Sequence, residues 1–171
     1  MVEFILKDGF LHGAGLKLRA CCGQGGISAD KQEGDGATPI GKLRLVRLLY
    51  RADRVGPPLS TVPMAPLTPQ DGWCDDPDDS AYNQPVTLPY PARHEELWRE
   101  DGVYDIIGVL DWNLDPILPQ KGSAIFLHVA TDDYAPTAGC VALVLADLQI
   151  LLAAGLSEII VPAPANAHKP A

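Results

Sequence analysis

The stretch AIFLHVATDDYAPTAGCVAL, residues 124–143, puts a histidine and a cysteine at the two ends of one strand-loop-strand unit. Residues 124–130 form an apolar run, partly β-branched and aromatic, which predicts a core strand carrying His128 to a rim. The polar, proline-containing loop 131–137 is expected to turn the chain back, so that Gly139 and Cys140 face the histidine across twelve positions of sequence. A thiol and an imidazole so placed are a nucleophile and its base. A free thiol is mostly protonated at neutral pH, and an adjacent imidazolium would lower its pKa and supply the reactive thiolate. Gly139 admits close approach of a substrate, and the N–H groups around Gly139 and Cys140 are candidate donors to an oxyanion. Taken alone, one cysteine and one histidine fit a buried thiol and a satisfied core imidazole better than a catalytic pair.

A resemblance adds to this reading. His128, a short loop and then Thr137-Ala138-Gly139-Cys140-Val141 resemble the signature of the L,D-transpeptidase family with the YkuD-type catalytic domain: a histidine, then Ser/Thr-His-Gly-Cys-Ile/Val-Arg. Residues 31–41, KQEGDGATPIG, look like that family's TPxG-type turn, and residues 73–86, WCDDPDDSAYNQPV, like its middle segment, so the resemblance spans about 2–162. Two positions depart from the signature, Ala138 for its second histidine and Ala142 for its arginine. The resemblance implies a mixed-sheet β-sandwich with the site at one edge. It also implies a cysteine thioester acyl-enzyme and a role in crosslinking peptidoglycan stems at diaminopimelate. The departures point to a branch associated with 1,3 rather than 3,3 crosslinks. Hydrolysis by the same Cys/His site, or a non-catalytic peptidoglycan-binding module, are the alternatives. Donor and acceptor stem peptides are the implied partners, carbapenems the implied inhibitors, and the periplasm or cell envelope the implied location.

Composition sets the outer limits. At 171 residues and 47% apolar, the chain is sized for a single domain at 1–162 with a flexible tail at 163–171, and a monomer is expected. A net charge of −9 without a Lys/Arg run argues against nucleic acid or an anionic membrane as partner. No apolar run reaches the length of a membrane span, and VEFILKDG at the start has no basic region or cleavage site of an export signal. Cys21, Cys22, Cys74 and Cys140 have no disulfide-framework spacing and read as thiols. No metal-ligand spacing occurs, so neither metal nor cofactor is expected.

Along the chain, Asp8-Gly9 signals a hairpin between strands at 2–7 and 16–21. The Gly-rich loop 23–36 lacks a phosphate-binding pattern, and its turns, with Thr38-Pro39-Ile40-Gly41, are expected near the substrate channel. Residues 43–50 predict a strand, followed by Arg51 and Arg54, which are either carboxylate clamps or solvated charges. Five prolines within 56–70 exclude a helix or central strand there, leaving an inert covering or a lid. The acidic segment 71–84 offers Trp73, Tyr82 and Asn83 as substrate contacts, and the loop before the cysteine offers Tyr134 and Thr137. HEELWRED, residues 94–101 ahead of Gly102, predicts a short helix with Leu97 and Trp98 toward the core. Strands follow at 86–90, 103–110, 141–143 and 156–161, with a second helix at 145–154 ending at Gly155. Strands thus far outnumber helices, and the fold class is mainly β.

Overall fold

The computed structural model describes residues 1–165; of the expected tail at 163–171, residues 166–171 lie outside the described residues. The strands are β1 (Val2–Lys7), β2 (Phe10–Gly13), β3 (Leu16–Arg19), β4 (Ile27–Ser28), β5 (Thr38–Pro39), β6 (Gly41–Tyr50) and β7 (Met64–Pro66). They continue as β8 (Asp71–Cys74), β9 (Pro85–Thr87), β10 (His94–Glu96), β11 (Ile106–Leu110), β12 (Phe126–Val129), β13 (Val141–Leu143) and β14 (Leu156–Val161), with helix α1 (Leu145–Ala153) before the last. The fold is mainly β. A mixed sheet runs β13-β12-β11-β6-β14-β1-β2-β3, with β7 alongside the end of β6, and a smaller antiparallel sheet β10-β8-β9 stands apart from it.

The N-terminal meander is tighter than expected. Asp8 and Gly9 both take positive φ, 53° and 78°, as a two-residue hairpin turn requires, so the return strand is Phe10–Gly13 rather than 16–21. Ala14 and Gly15, at φ 48° and 75°, make a second such turn into β3. Two consecutive two-residue turns leave only four residues for β2. Its His12 and Gly13 hide the apolar alternation by which strands are recognised.

After β3 the chain carries the sheet almost to closure. Cys21 bridges Ala142 and Gly23 bridges Thr137, through Cys21 N–H to the Ala142 carbonyl (2.9 Å) and Ala142 N–H to the Cys21 carbonyl (3.0 Å). The segment after one edge strand therefore lies on β13, the opposite edge. Enclosed by this curl is a core of Phe4, Leu11, Leu43, Leu48, Ile106 and Leu127, capped by Leu148, Leu151 and Leu152 of α1. On the outer face of β11 and β12 a second cluster, with Ile107, Val109, Phe126, Trp73 and Leu97, packs the smaller sheet down as a second layer. All five residues of β11 are buried, since both of its faces are covered; hence its unbroken apolar sequence.

One expected helix is absent. Residues 94–96 of HEELWRED form β10, pairing His94 with Cys74 and Glu95 with Trp73 on β8. The available edge of β8 outweighs the weak helix propensity of a Glu-Glu-Leu run too short to form a stable helix alone. Leu97 is buried as expected, and the chain bends after it. The helix expected at 145–154 is present as α1; it stops at Gly155, φ 90°, whose N–H returns to the Leu152 carbonyl. Pro66 of the Pro-rich segment sits in β7, which lies along β6.

Candidate active site

β12 and β13 pair in parallel, Leu127 with Val141 and His128 with Ala142. The loop 130–140 therefore does not simply reverse the chain, as the sequence suggested; it carries the chain back to the start of β12, and Cys140 arrives beside Phe126 rather than His128. Alternate strand residues share a face, so Phe126, His128, Cys140 and Ala142 look the same way. Imidazole and thiol are then offset by two residues, about 7 Å of strand rise.

The approach to the cysteine is held from three sides. Thr137 Oγ1 donates to the Cys140 carbonyl (2.6 Å) and accepts the Gly139 N–H (3.1 Å). The hydroxyl of Thr38, fully buried in β5, donates to the Gly139 carbonyl (2.8 Å) and accepts the Gly23 N–H (2.9 Å). Gly139 itself has φ 134°, and a Cβ there would lie 2.8 Å from the Ala37 carbonyl oxygen, so no other residue fits without displacing backbone. Tyr134, at φ 53°, stacks beneath the Arg19 guanidinium, 4.0 Å from ring centroid to Cζ, and anchors the far side of the loop.

Cys140 is buried. Its thiol donates to the Ala124 carbonyl (3.2 Å) and receives the Phe126 N–H (3.3 Å). Burial pushes its pKa up to about 12, and the nearby Glu95 charge adds to the rise. Burial also lowers the pKa of His128, whose Nδ1 lies 2.9 Å from the Val129 carbonyl. A carbonyl only accepts, so Nδ1 carries the proton and Nε2 is left with the lone pair. The resting pair is a neutral thiol and a neutral imidazole with no hydrogen bond between them. The expected imidazolium-thiolate pair is not the resting state, because desolvation penalises both charged forms and the thiol has a carbonyl to bond.

Both groups line a cavity of about 310 Å³, together with Glu95, Arg99, Tyr104, Ser123 and Thr137. Tyr104 stands edge-on to the His128 ring, centroids 5.4 Å apart, and its hydroxyl donates to Glu95 Oε1 (2.9 Å). Glu95, Arg99 and Tyr104 escaped the sequence reading. On a helix, Glu95 and Arg99 would be surface charges; β10 and the bend after it turn them into the site. No signal short of the β8–β10 pairing identifies them.

Of the other candidates, Tyr82, Asn83, Tyr134, Arg51 and Arg54 line no part of the cavity and instead brace the segments around it. Asn83 accepts N–H bonds from Trp73 Nε1 and Ala124, both 3.0 Å, and donates to the carbonyls of Trp112 (3.2 Å) and Asn113 (2.7 Å). It thereby holds Ala124, at φ 52°, whose carbonyl receives the thiol. Tyr82 donates to Glu33 (3.0 Å) and accepts the Gly122 N–H (3.1 Å), and Ser123 also bonds Glu33. Arg51 is buried and lines no part of the cavity. Its guanidinium forks onto Asp53, both contacts 2.8 Å, lies 3.5 Å from the Trp98 ring and donates to the Arg99 carbonyl (2.7 Å). Arg54 pairs with Glu100 (2.9 Å) and Asp105 (3.1 Å). These two arginines hold the backbone that carries Arg99.

The model of the L,D-transpeptidase catalytic domain matches residues 10–154. The chain belongs to that family. No curated protein matches the sequence. L,D-transpeptidases act on peptidoglycan and are associated with the cell envelope. Among the described residues no helix is long and apolar enough to cross a membrane. Of the two departures from the family signature, Ala138 is exposed and Ala142 is fully buried beside Cys21, and both line the cavity. The cationic side chain of this cavity comes instead from Arg99.

Proposed function

We propose that this member is an L,D-transpeptidase that crosslinks peptidoglycan stems at diaminopimelate, with Cys140 as nucleophile and His128 as base. The observation that carries the reading is one cavity holding a thiol at a bend only glycine permits, and an imidazole whose Nδ1 proton is fixed by Val129, leaving Nε2 basic. A peptide carbonyl entering the cavity draws the thiol from Ala124. Nε2 takes its proton as sulfur attacks, and the charge developing on the carbonyl oxygen falls within reach of the Cys140 N–H, the Gly139 N–H being held by Thr137. The tetrahedral intermediate collapses to a thioester, and the imidazolium returns its proton to the leaving amine. An acceptor amine then attacks the thioester and yields a new amide and the free thiol. The departures at Ala138 and Ala142 favour the 1,3 crosslink over the 3,3 crosslink.

The test is incubation with purified disaccharide-peptides and mass spectrometry of the products. Crosslinked dimer is expected from the wild type and none from Cys140→Ala, whereas alanine at Cys21, Cys22 or Cys74 leaves turnover intact. Hydrolysed stems without dimer would make the chain an L,D-carboxypeptidase. Absence of both products, with no acylation of Cys140 by a carbapenem, would leave a binding module.

A further inference from the structure

Two opposite charges face the cavity without neutralising each other. Glu95 is carried inward by β10, and Tyr104 occupies its Oε1; among the described residues no cation is ion-paired to it. Arg99 uses Nε and Nη2 on Asp101, which leaves the Nη1 hydrogens for another acceptor. The other carboxylate of the wall, Asp75, is engaged by Arg93 (3.2 Å). Both unspent groups are rigidly mounted. Glu95 sits in a strand, and the backbone of Arg99 is clamped at its carbonyl by Arg51 (2.7 Å) and Arg54 (3.3 Å). Both also meet Tyr104, which the Arg99 guanidinium overlies at 5.3 Å.

A carboxylate held in a half-dry wall with no ion-paired cation is costly to maintain, and the exposed Arg99 guanidinium beside it still has hydrogens to donate. A ligand carrying an ammonium beside a carboxylate satisfies both at once. We infer that Glu95 and Arg99 form a receptor for the free amino-acid head of the substrate, Glu95 taking its ammonium and Arg99 its carboxylate, and so set which third residue of a stem is accepted. The inference rests on the peptidoglycan reading above, because the side chain of diaminopimelate ends in such a head. Burial raises the Glu95 carboxyl, so the receptor is complete only where that group is ionised.

Binding separates this from the reaction itself. Stem tripeptides with meso-diaminopimelate, L-lysine or L-norleucine at the third position are titrated calorimetrically into Cys140→Ala protein at about pH 8, where a carboxyl is ionised. Lysine keeps the ammonium and loses the carboxylate; norleucine loses both. Affinity is expected to fall ten- to a hundredfold at each step, as for a charge-assisted contact. Adding Glu95→Gln should abolish the lysine-over-norleucine preference, and adding Arg99→Gln the diaminopimelate-over-lysine preference. Glu95→Asp, which keeps the charge, should retain part of the former, and circular dichroism confirms that each variant is folded. Equal preferences in parent and variants, or no discrimination in the parent, overturn the inference. Turnover by protein with Cys140 intact is read separately, so discrimination without turnover would defeat the proposed reaction and leave the receptor standing.

Discussion

Cys140 and His128 illustrate how the same two residues acquire a chemistry from their surroundings. An imidazolium close to a solvated thiol lowers the thiol's pKa and so favours the ion pair. Here the thiol is buried, bonded to the Ala124 carbonyl and pushed up to about 12, while the imidazole is held below its ordinary value. Proton transfer must therefore be driven by the incoming carbonyl rather than stored beforehand. Thiolate absorbance near 240 nm, taken as the difference between wild type and Cys140→Ala, should show no step between about pH 5 and 9, and iodoacetamide should label Cys140 more slowly than a free thiol of pKa about 8.5. A thiolate step below pH 7 that disappears in His128→Ala would establish the ion pair instead. His128 was singled out by its place in an apolar strand together with the family signature that follows it. The Val129 carbonyl that fixes its tautomer was not, since the backbone of the next residue leaves no mark on a sequence.

At the scale of elements, the sequence was readable where a residue's neighbours in the chain decide its state. β6, β12, β13, α1 and β14 fall where the apolar patterning put them, and Gly155 ends the helix as its position implied. It misled where the partner is remote. β10 forms because β8 offers it an edge, and this alone turns Glu95 from a surface charge into a cavity wall. Thr38-Pro39, expected as a turn and found as strand β5, is a middle case. Its nearness to the site was legible from a family motif, but its work was not: a buried hydroxyl bridges the Gly139 carbonyl and the Gly23 N–H, a hundred residues and fifteen residues away in the chain. Thr38→Val keeps the shape and removes both bonds, leaving a buried acceptor and donor unpaired. It should cost about 1–3 kcal/mol for each group left unsatisfied, less any relaxation. It should also slow carbapenem acylation of Cys140, whereas Thr137→Ser, which keeps the hydroxyl at the other brace, should be nearly silent in both. Urea midpoints and acylation rates measure the two effects, and an unaltered acylation rate in a destabilised Thr38→Val protein would show that β5 supports the fold without placing the nucleophile.

Across the whole molecule, the curled sheet supplies stability and the smaller sheet bears the cost of the site. The enclosed core and the α1 cap are apolar, while β10 and the bend after it bring a carboxylate and a guanidinium to a cavity whose histidine stands on β12 of the large sheet. The cost should be visible in the pH dependence of unfolding. Glu95 is raised above 4.5, chiefly by burial, with the Asp75 and Glu33 charges adding to it and the Tyr104 hydroxyl and the Arg99 charge opposing. For a group raised on folding, the stabilising contribution is complete below the unfolded value of 4.5 and is lost as pH rises through the folded value, because the folded protein then holds a proton the unfolded chain has released. His128 runs the other way. Its folded value is depressed, so its contribution is complete above about 6.5 and declines as pH falls. Comparing wild type with Glu95→Gln cancels His128, which both proteins carry, and isolates the carboxylate. Glutamine retains an oxygen to accept the Tyr104 hydroxyl but never ionises. The variant should therefore match wild type at about pH 4 and exceed it at about pH 7, with a higher urea midpoint and an unchanged m-value. A gain of equal size at both pH values would trace to packing, and no gain at either would mean that the Glu95 charge is no burden to the folded chain.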